Sequence, residues 1–333
     1  MKTPRALLVC HVGSEEGVGH LSRLLALAKN LRKDGNVISE FLIFGDFINK
    51  DDLANFNVHA FSIKEDFVST IKNFLSINTF NVIIFDLYPR HNINNLDKLL
   101  IQLKHLNIYQ ISIDSLIEYC NILDLIWIPS FNFDYTKHTD CSCILRSGWD
   151  TFLIQKRLRH KDWSPGSKVL ILTGGSDILK LGKTLPAQLD KLLKEEVELH
   201  WVRGPFSDAP SLPKNCRLNW VVHNSPERLD ELIIQSDYVM TLFGVTFFEV
   251  LQYGIPSVVF SPYGNKDNAE LDALSKENVA LVANDTELAI NGIVNLMKND
   301  KLAKEYSLNA LQKMSINGVK NLSKEIYSLI GVL

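Results

Sequence analysis

A glycine-rich turn near the amino end carries the first residue suited to acid–base chemistry. The stretch GSEEGVGHLSR, residues 13–23, follows an apolar run and leads into a helical pattern, so His20 is expected where a strand passes into a helix. The positive end of a helix disfavours an imidazolium, and a neutral His20 ring there is suited to take a proton from water or a hydroxyl. A capping or hydrogen-bonded histidine without chemistry is the alternative. Arg23, one turn later, either pairs with a carboxylate or covers the surface.

A second group of polar and glycine residues lies in the carboxyl-terminal half. A strand is predicted to end at Gly244, Thr246 is placed to cap the next helix, and Glu249 follows three residues later as a capping-box partner. The functional alternative is that Glu249 accepts hydrogen bonds from a ribose diol while the helix start faces a pyrophosphate. The loop after the next strand carries side chains suited to sugar hydroxyls or a phosphate, or is a plain solvated loop; they are Asn265, Lys266 and Asn268.

The elements that must position these groups follow from the hydrophobic pattern. Short apolar, β-branched runs alternate with amphipathic stretches of helical length, which predicts βαβ units and parallel sheets. In the first half the pattern predicts a helix over 20–35 and strands at 6–12, 37–45, 58–63, 82–87, 108–114 and 125–130. The pattern restarts near 162–177, so the expected fold class is α/β, with two Rossmann-like doubly wound domains facing a cleft.

That restart also sets the expected domain boundaries. Residues 1–150 are predicted to form a first domain and 167–310 a nucleotide-binding domain, joined by a linker at 151–166. A terminal helix, 311–333, is expected to pack back onto the first domain. Ligands of parallel sheets lie beyond the carboxyl ends of the strands, where glycine allows close approach to a phosphate. The turn expected there in the second domain contains Gly174, Gly175 and Ser176.

Composition excludes several classes of function. The net charge is −3, so no basic field is present to gather nucleic acid. The first apolar run is too short for a signal peptide or a membrane span, which favours a cytoplasmic protein. Neither a dinucleotide fingerprint nor a P-loop occurs, and no cofactor is predicted. Zinc-type spacing is also missing among the cysteines, so we expect no metal and reduced thiols at Cys10, Cys120, Cys141, Cys143 and Cys216.

Taken in order, these motifs resemble a known family. They are the GVGHLSRLLALA turn and helix, FDLYPR with Asp86 and Tyr88, SIDS at 112–115, TGGSD, and the Glu249 helix followed by GIP. From about residue 6 to 285 they resemble the nucleotide-sugar hydrolase of pseudaminic acid biosynthesis. They are also similar to GT-B glycosyltransferases, including the peptidoglycan N-acetylglucosaminyltransferase. The resemblance implies a GT-B fold and a UDP-sugar substrate held mainly by the second domain.

The resemblance also implies roles for individual residues. The histidine of the hydrolase motif acts on water that attacks the UDP-linked sugar without a metal, and it matches His20. Asp86 and Asp114 are the expected cleft carboxylates, although Asp114 has the alternative of capping the following helix. The expected sugar-binding residues are Gly19, Arg23, Tyr88, Asn265, Lys266 and Asn268. The expected nucleotide-binding residues are Gly174, Gly175, Ser176, Gly244, Val245, Thr246 and Glu249. The sequence departs from the family pattern at three places: CHVGSEEG, Asp86-Leu87-Tyr88 and GNKDN. All three departures belong to the sugar side of the expected site.

Three functions follow from this pattern. The leading hypothesis is hydrolysis of a UDP-sugar in bacterial surface or flagellar glycan synthesis. The second is transfer of the sugar to an acceptor hydroxyl by a GT-B glycosyltransferase. A membrane-linked acceptor would need a basic or apolar patch, for which the sequence offers only the basic cluster 157–163, and a solvated linker is the alternative there. The third is a nucleotide-binding protein without turnover, since a fold does not by itself prove chemistry.

Overall fold

The computed structural model describes residues 3–13, 15–46, 51–88, 91 and 93–332. The chain divides into two compact units. Unit 1 comprises the chain up to Gln155 together with the segment from Ile316, and unit 2 comprises Lys156–Ser315. The first division falls within the stretch predicted to be a linker. The carboxyl-terminal segment that belongs to unit 1 begins at Ile316, whereas the sequence pattern predicts a terminal helix from residue 311.

Unit 1 is built on a seven-stranded parallel sheet in the order β3-β2-β1-β4-β5-β6-β7. Its strands are β1 (Arg5–Val12), β2 (Ile38–Gly45), β3 (Asn57–Phe61), β4 (Val82–Asp86), β5 (Tyr109–Ile113), β6 (Leu125–Ile128) and β7 (Ile144–Ser147). Helices α1 (Gly19–Gly35), α2 (Phe67–Ile77) and α3 (Leu96–His105) connect them. The strand order reverses between β1 and β4, the point of a doubly wound sheet at which ligands bind.

The central elements of unit 1 owe their positions to apolar burial. β1 is buried along nearly its whole length because it lies between β2 and β4. In α1 the predicted helical spacing is confirmed, since the leucines of its apolar stripe, Leu21, Leu24, Leu25, Leu27 and Leu31, are all buried. Strand β7 was not predicted, because it is short and only half-buried and lacks a strong apolar signal.

Unit 2 repeats the architecture with a six-stranded parallel sheet in the order β10-β9-β8-β11-β12-β13. Its strands are β8 (Lys168–Leu172), β9 (Glu198–Arg203), β10 (Asn219–Asn224), β11 (Tyr238–Leu242), β12 (Ser257–Phe260) and β13 (Leu281–Val282). Its helices are α4 (Leu181–Leu192), α5 (Leu229–Gln235), α6 (Val245–Leu251), α7 (Asn268–Glu277), α8 (Thr286–Lys298) and α9 (Asp300–Lys313). The central strands β8, β11 and β12 are buried, which places the unit's core on both faces of the sheet.

The last helix, α10 (Gly318–Ile330), belongs to unit 1 and packs against α1. Tyr327 lies directly over Gly35, where an added Cβ would collide with the phenol ring. Asn30 donates a hydrogen bond of 3.0 Å to the Ser323 hydroxyl across the same contact. Within the described ranges, no helix combines the length and the apolar character needed to cross a bilayer.

The cysteine prediction is wrong for one pair. Cys120 and Cys141 form a disulfide with their Cα atoms 5.1 Å apart, although they are separated by 21 residues in the sequence. The chain leaving β5 and the chain entering β7 run side by side there, since the Cys143 N–H donates to the Cys120 carbonyl at 3.1 Å. Sequence spacing conceals this proximity. Cys10, Cys143 and Cys216 are free thiols.

Candidate active site

The His20 ring is held against a buried carboxylate. The helix α1 begins at Gly19 with Val18 as its N-cap, so His20 is the second helical residue and does not cap the helix. The other half of the alternative, a hydrogen-bonded histidine without chemistry, is not tested by this position. His20 Nδ1 lies 2.6 Å from Asp86 Oδ1 at the end of β4. Two groups approach this nitrogen: the Asp86 carboxylate, which only accepts hydrogen bonds, at 2.6 Å, and Arg23 Nη2, which only donates, at 3.0 Å. We assign the hydrogen to Nδ1 because the carboxylate contact is the shorter one, and Arg23 Nη2 already donates to Asp86 at 2.6 Å. The second nitrogen of the ring, Nε2, then carries the lone pair that can take a proton.

Arg23 binds two carboxylates through all three of its guanidinium nitrogens. Nε and Nη2 donate to Asp86 at 3.0 and 2.6 Å, and Nη1 donates to Asp114 at 2.8 Å. Burial alone would lower the pKa of Arg23, but the two carboxylates outweigh it and raise that pKa. Arg23 is only 6% exposed. The carboxylate pairing is therefore the correct one of the two alternatives, and the guanidinium faces protein groups.

Asp86 is the centre of this network. Its side chain is fully buried at the last residue of β4, next to β1. Burial alone would raise the pKa of the Asp86 carboxyl, but the Arg23 guanidinium and the His20 ring outweigh it and hold that pKa below its ordinary value. The carboxylate is thus ionised at neutral pH and stays an acceptor for the His20 Nδ1–H.

Asp114 presents the second carboxylate of the network to solvent. Its backbone is left-handed, with φ of 60°, directly after β5, and its side chain is 46% exposed. The next helical turn, Ile117–Tyr119, has Leu116 as its N-cap and no side-chain cap bond. The capping alternative for Asp114 is therefore wrong, and its described partner is Arg23.

Beside His20 lie Tyr88, which the resemblance implies at the site, and three ionisable side chains that the sequence did not single out: His11, Glu16 and His91. The Tyr88 ring lies edge-on to the His20 ring with centroids 6.2 Å apart. The Tyr88 N–H donates to His11 Nδ1 at 3.1 Å, and His91 Nε2 lies 2.7 Å from Glu16 Oε1. The sequence signal that could have identified His11 is its position as a histidine inside the apolar run CHV. No such signal pairs Glu16 with His91, because 75 residues separate them.

Burial also fixes the protonation of His11. Burial lowers the pKa of His11 to about 3, with the neighbouring His91 and His20 adding to the effect. The ring is thus neutral at physiological pH and can accept the Tyr88 N–H. Among the residues that the structure covers, no three or more His, Cys, Asp or Glu side chains are grouped to hold a metal ion.

The glycine turn after β8 lies at the carboxyl edge of the sheet in unit 2, with Gly174 exposed and Gly175 and Ser176 half-buried. Gly174 has a φ of 80°, a conformation that favours glycine, and Gly175 and Ser176 follow in the same turn. The Asp177 carboxylate accepts hydrogen bonds from the Leu181 and Gly182 N–H groups at 2.9 and 2.8 Å. The start of α4 is thus capped from within, and a phosphate at this turn would have to use the turn's own N–H groups.

The helix α6 begins earlier than its capping residues predict. Gly244 is the N-cap, Val245 is the first helical residue, and no side-chain cap bond occurs. Thr246 is therefore inside the helix, and the prediction that it caps α6 is wrong. The reason is that the backbone changes direction between β11 and α6 at Gly244, whose φ is 154°. Glu249 is half-buried one turn further on.

The loop after β12 is compact and faces solvent. It forms a short turn of helix, Gly264–Asp267, and α7 begins at Asn268. The Ser261 hydroxyl donates to Asp267 Oδ2 at 2.6 Å, which closes the loop. The candidate sugar-binding side chains Asn265, Lys266 and Asn268 are exposed. Since β8, β11 and β12 are parallel neighbours, this loop, the Gly174 turn and the α6 start lie along one sheet edge.

Two doubly wound parallel sheets, of seven and six strands, define the GT-B fold, and comparison with solved structures agrees. Phytolacca americana UGT2, complexed with UDP-2-fluoro-glucose and pterostilbene, matches with a TM-score of 0.67 and 12% identity over 98% of this chain and 100% of that one. Acinetobacter baumannii MurG matches at 0.65 and 15% over 98% and 100%. S. aureus MnaA, in a structure with UDP, matches at 0.62 and 10% over 99% and 98%. At these identities the likeness establishes the fold. No protein-family model and no curated protein matches the sequence.

Proposed function

We propose that the protein cleaves the bond between UDP and a sugar, with His20 as the general base toward water. The contact of 2.6 Å between His20 Nδ1 and the buried Asp86 carboxylate carries this proposal. It is the arrangement that leaves Nε2 free to accept a proton and stabilises the imidazolium that forms. The family resemblance of the GVGH motif and the binding of UDP or a UDP-sugar by neighbours of the same fold support a nucleotide-sugar substrate.

The proposed reaction is a displacement at the anomeric carbon. The water oxygen forms a bond to that carbon, its proton passes to His20 Nε2, and the bond to the UDP oxygen breaks with both electrons leaving on UDP. Because Asp86 is buried behind His20, it acts through the ring as a positioning residue. Asp114 is the exposed carboxylate of the network and is the one that we assign to the sugar.

Unit 2 is proposed to hold the nucleotide. The resemblance assigns the ribose to Glu249 and the diphosphate to the turns at 174–176 and 244–246. Since Asp177 caps α4, the N–H groups of Gly175 and Ser176 are the donors that we assign to the leaving phosphate at the first turn. Preorganised donors of this kind typically stabilise a transition state by ~3 kcal/mol each.

Transfer to an acceptor hydroxyl is the second candidate, and it uses the same residues. A hydroxyl delivers its proton to His20 Nε2 just as water does. The GNKDN loop resembles the transferase pattern, and the similar UGT2 structure contains pterostilbene as well as a UDP-sugar analogue. The two candidates differ in the nucleophile alone.

One experiment tests both candidates. The protein is incubated with a panel of nucleotide sugars, with and without acceptor alcohols, and free UDP and the sugar product are measured. UDP release without an acceptor supports hydrolysis, and release only with an acceptor supports transfer. His20→Ala should abolish turnover and retain UDP binding, whereas the matched variant His105→Ala, at an exposed histidine, should leave both unchanged. UDP binding without turnover of any sugar would overturn the enzymatic proposal in favour of a nucleotide-binding protein.

A further inference from the structure

Glu16 is placed unlike a residue of an exposed acidic turn. Its side chain is only 9% exposed, and its Oε1 lies 2.7 Å from His91 Nε2. Its other oxygen, Oε2, lies against Gly13, where an added Cβ would collide with it. Glu15, the adjacent carboxylate, is exposed. Of these two neighbouring acidic residues, only Glu16 therefore has a side chain that is largely buried.

The turn that carries Glu16 leads directly into α1, the helix that carries His20. Gly13 and Gly17 pair with each other through backbone hydrogen bonds, and the Gly17 N–H donates to the Gly13 carbonyl at 2.8 Å. The helix α1 starts two residues after this closed turn, and His20 follows at its second position. Any shift of the turn is thus transmitted to the His20 backbone through very few rotatable bonds.

His91 lies on the segment that follows Asp86. Its N–H donates to the Tyr88 carbonyl at 3.1 Å, and its ring packs on the His11 ring with centroids 4.6 Å apart. Tyr88 is two residues beyond Asp86, and its ring lies edge-on to the His20 ring. The two segments that carry His20 and Asp86 are therefore joined a second time, at Glu16 and His91.

We propose that Glu16 and His91 form a clamp that positions His20 against Asp86, so that both are positioning residues for the reaction. This inference rests on the proposed function, because its kinetic consequence is a loss of turnover by way of His20. Neither residue needs to contact the substrate. A displacement of about 1 Å at a reacting group typically costs up to about a hundredfold in rate. We therefore expect kcat to fall roughly tenfold to a hundredfold without the clamp.

The kinetic test compares two carboxylates of the same turn. Glu16→Ala and His91→Ala should each lower kcat while KM and UDP affinity stay unchanged, and the double variant should be no slower than either single one. Glu16→Gln retains a carbonyl acceptor for His91 Nε2–H and should restore most of the rate. Glu15→Ala is the matched control and should behave as wild type. Equal rates for Glu16→Ala and Glu15→Ala, or additive losses in the double variant, would overturn the clamp.

A spectroscopic test separates the clamp from the reaction. The short hydrogen bond from His20 Nδ1 to Asp86 should give a downfield imidazole proton signal, assigned with His20→Ala. Glu16→Ala should shift or broaden that signal, and Glu15→Ala should not, while thermal unfolding verifies that both variants fold. If wild type turns over no nucleotide sugar, the proposed function fails and this signal still tests the clamp. An unchanged signal in Glu16→Ala contradicts it.

Discussion

Arg23 and Asp86 form a two-bonded pair inside unit 1, with Nε and Nη2 of the guanidinium at 3.0 and 2.6 Å from the two carboxylate oxygens. The same Nη2 lies 3.0 Å from His20 Nδ1. All three guanidinium nitrogens of Arg23, which the resemblance predicts to bind sugar, thus donate hydrogen bonds to protein carboxylates. Its geometry fixes the orientation of the carboxylate that in turn fixes the imidazole.

Asp86→Asn should separate the role of charge from that of shape. The substitution puts an NH₂ donor where Arg23 or the His20 Nδ1–H needs an acceptor. We expect turnover to fall roughly 10²- to 10⁴-fold and the free energy of unfolding to fall by about 3 kcal/mol, with UDP affinity unchanged. Steady-state kinetics, UDP titration calorimetry and urea unfolding measure these changes.

The matched control for that change is Asp190→Asn in unit 2. Asp190 is also a buried carboxylate, but it accepts hydrogen bonds from the backbone N–H groups of Arg217 and Leu218. Its substitution should lower stability and leave turnover intact. Wild-type turnover in Asp86→Asn, or an equal loss of turnover in both variants, would contradict the role given to Asp86.

Arg23→Lys tests positioning against sugar binding. A lysine ammonium keeps the charge but cannot make the planar, multiply bonded contact with Asp86 and Asp114. Because Arg23 is 6% exposed, we expect kcat to fall about tenfold to a hundredfold with KM for the nucleotide sugar unchanged. The measurement is a full substrate-saturation curve. A rise in KM at constant kcat would support the sugar-binding role that the resemblance implies.

His11 should make the protein sensitive to acid. Burial lowers the pKa of His11 to about 3 in the folded chain, whereas an unfolded histidine titrates near ~6.5. Between these values the unfolded chain binds a proton that the folded chain does not, so stability falls as pH decreases through this range, by up to ~1.4 kcal/mol per pH unit. His11→Asn keeps an acceptor for the Tyr88 N–H and should flatten that slope in urea unfolding measured from pH 7 to 4.

The exposed His105 supplies the control for this titration. His105→Asn removes an imidazole from the surface of unit 1 without changing the buried ring. If both asparagine variants gave the same dependence of stability on pH, His11 would not be the source of the acid sensitivity.

The disulfide between Cys120 and Cys141 should stabilise the folded protein against unfolding. Cys120 and Cys141 are 21 residues apart, and a loop of this length restricts the unfolded chain by roughly 3 kcal/mol. Cys120→Ser should lower the free energy of unfolding by about that amount under oxidising conditions and lose the response to dithiothreitol. Cys216→Ser, at an exposed free thiol, is the control. A thiol assay that counts five free cysteines in the native protein would disprove the bond.

Local sequence was sufficient for most of the architecture. The apolar spacing of α1 and the short β-branched runs of β1 and β4 specify their own burial, and their alternation requires parallel sheets. Strands β7 and β13 escaped prediction because they are short and half-buried. The capping of α4 by the Asp177 side chain was not predicted, and the cap of α6 was assigned to Thr246 although Gly244 is its N-cap. Residue spacing alone does not distinguish these capping positions from their neighbours.

The sequence by itself placed His20 where a strand meets a helix, but only the tertiary structure selected its partners. His20 and Asp86 are 66 residues apart, and Arg23 and Asp114 are 91 apart. The adjacency of β1 and β4, with Cys10 opposite Asp86, brings the first pair together. Hydrophobic periodicity determines which face of an element is buried, since it acts on neighbouring residues. Which strand lies beside which depends on the packing of the whole sheet, and that packing decided which carboxylates hold the imidazole.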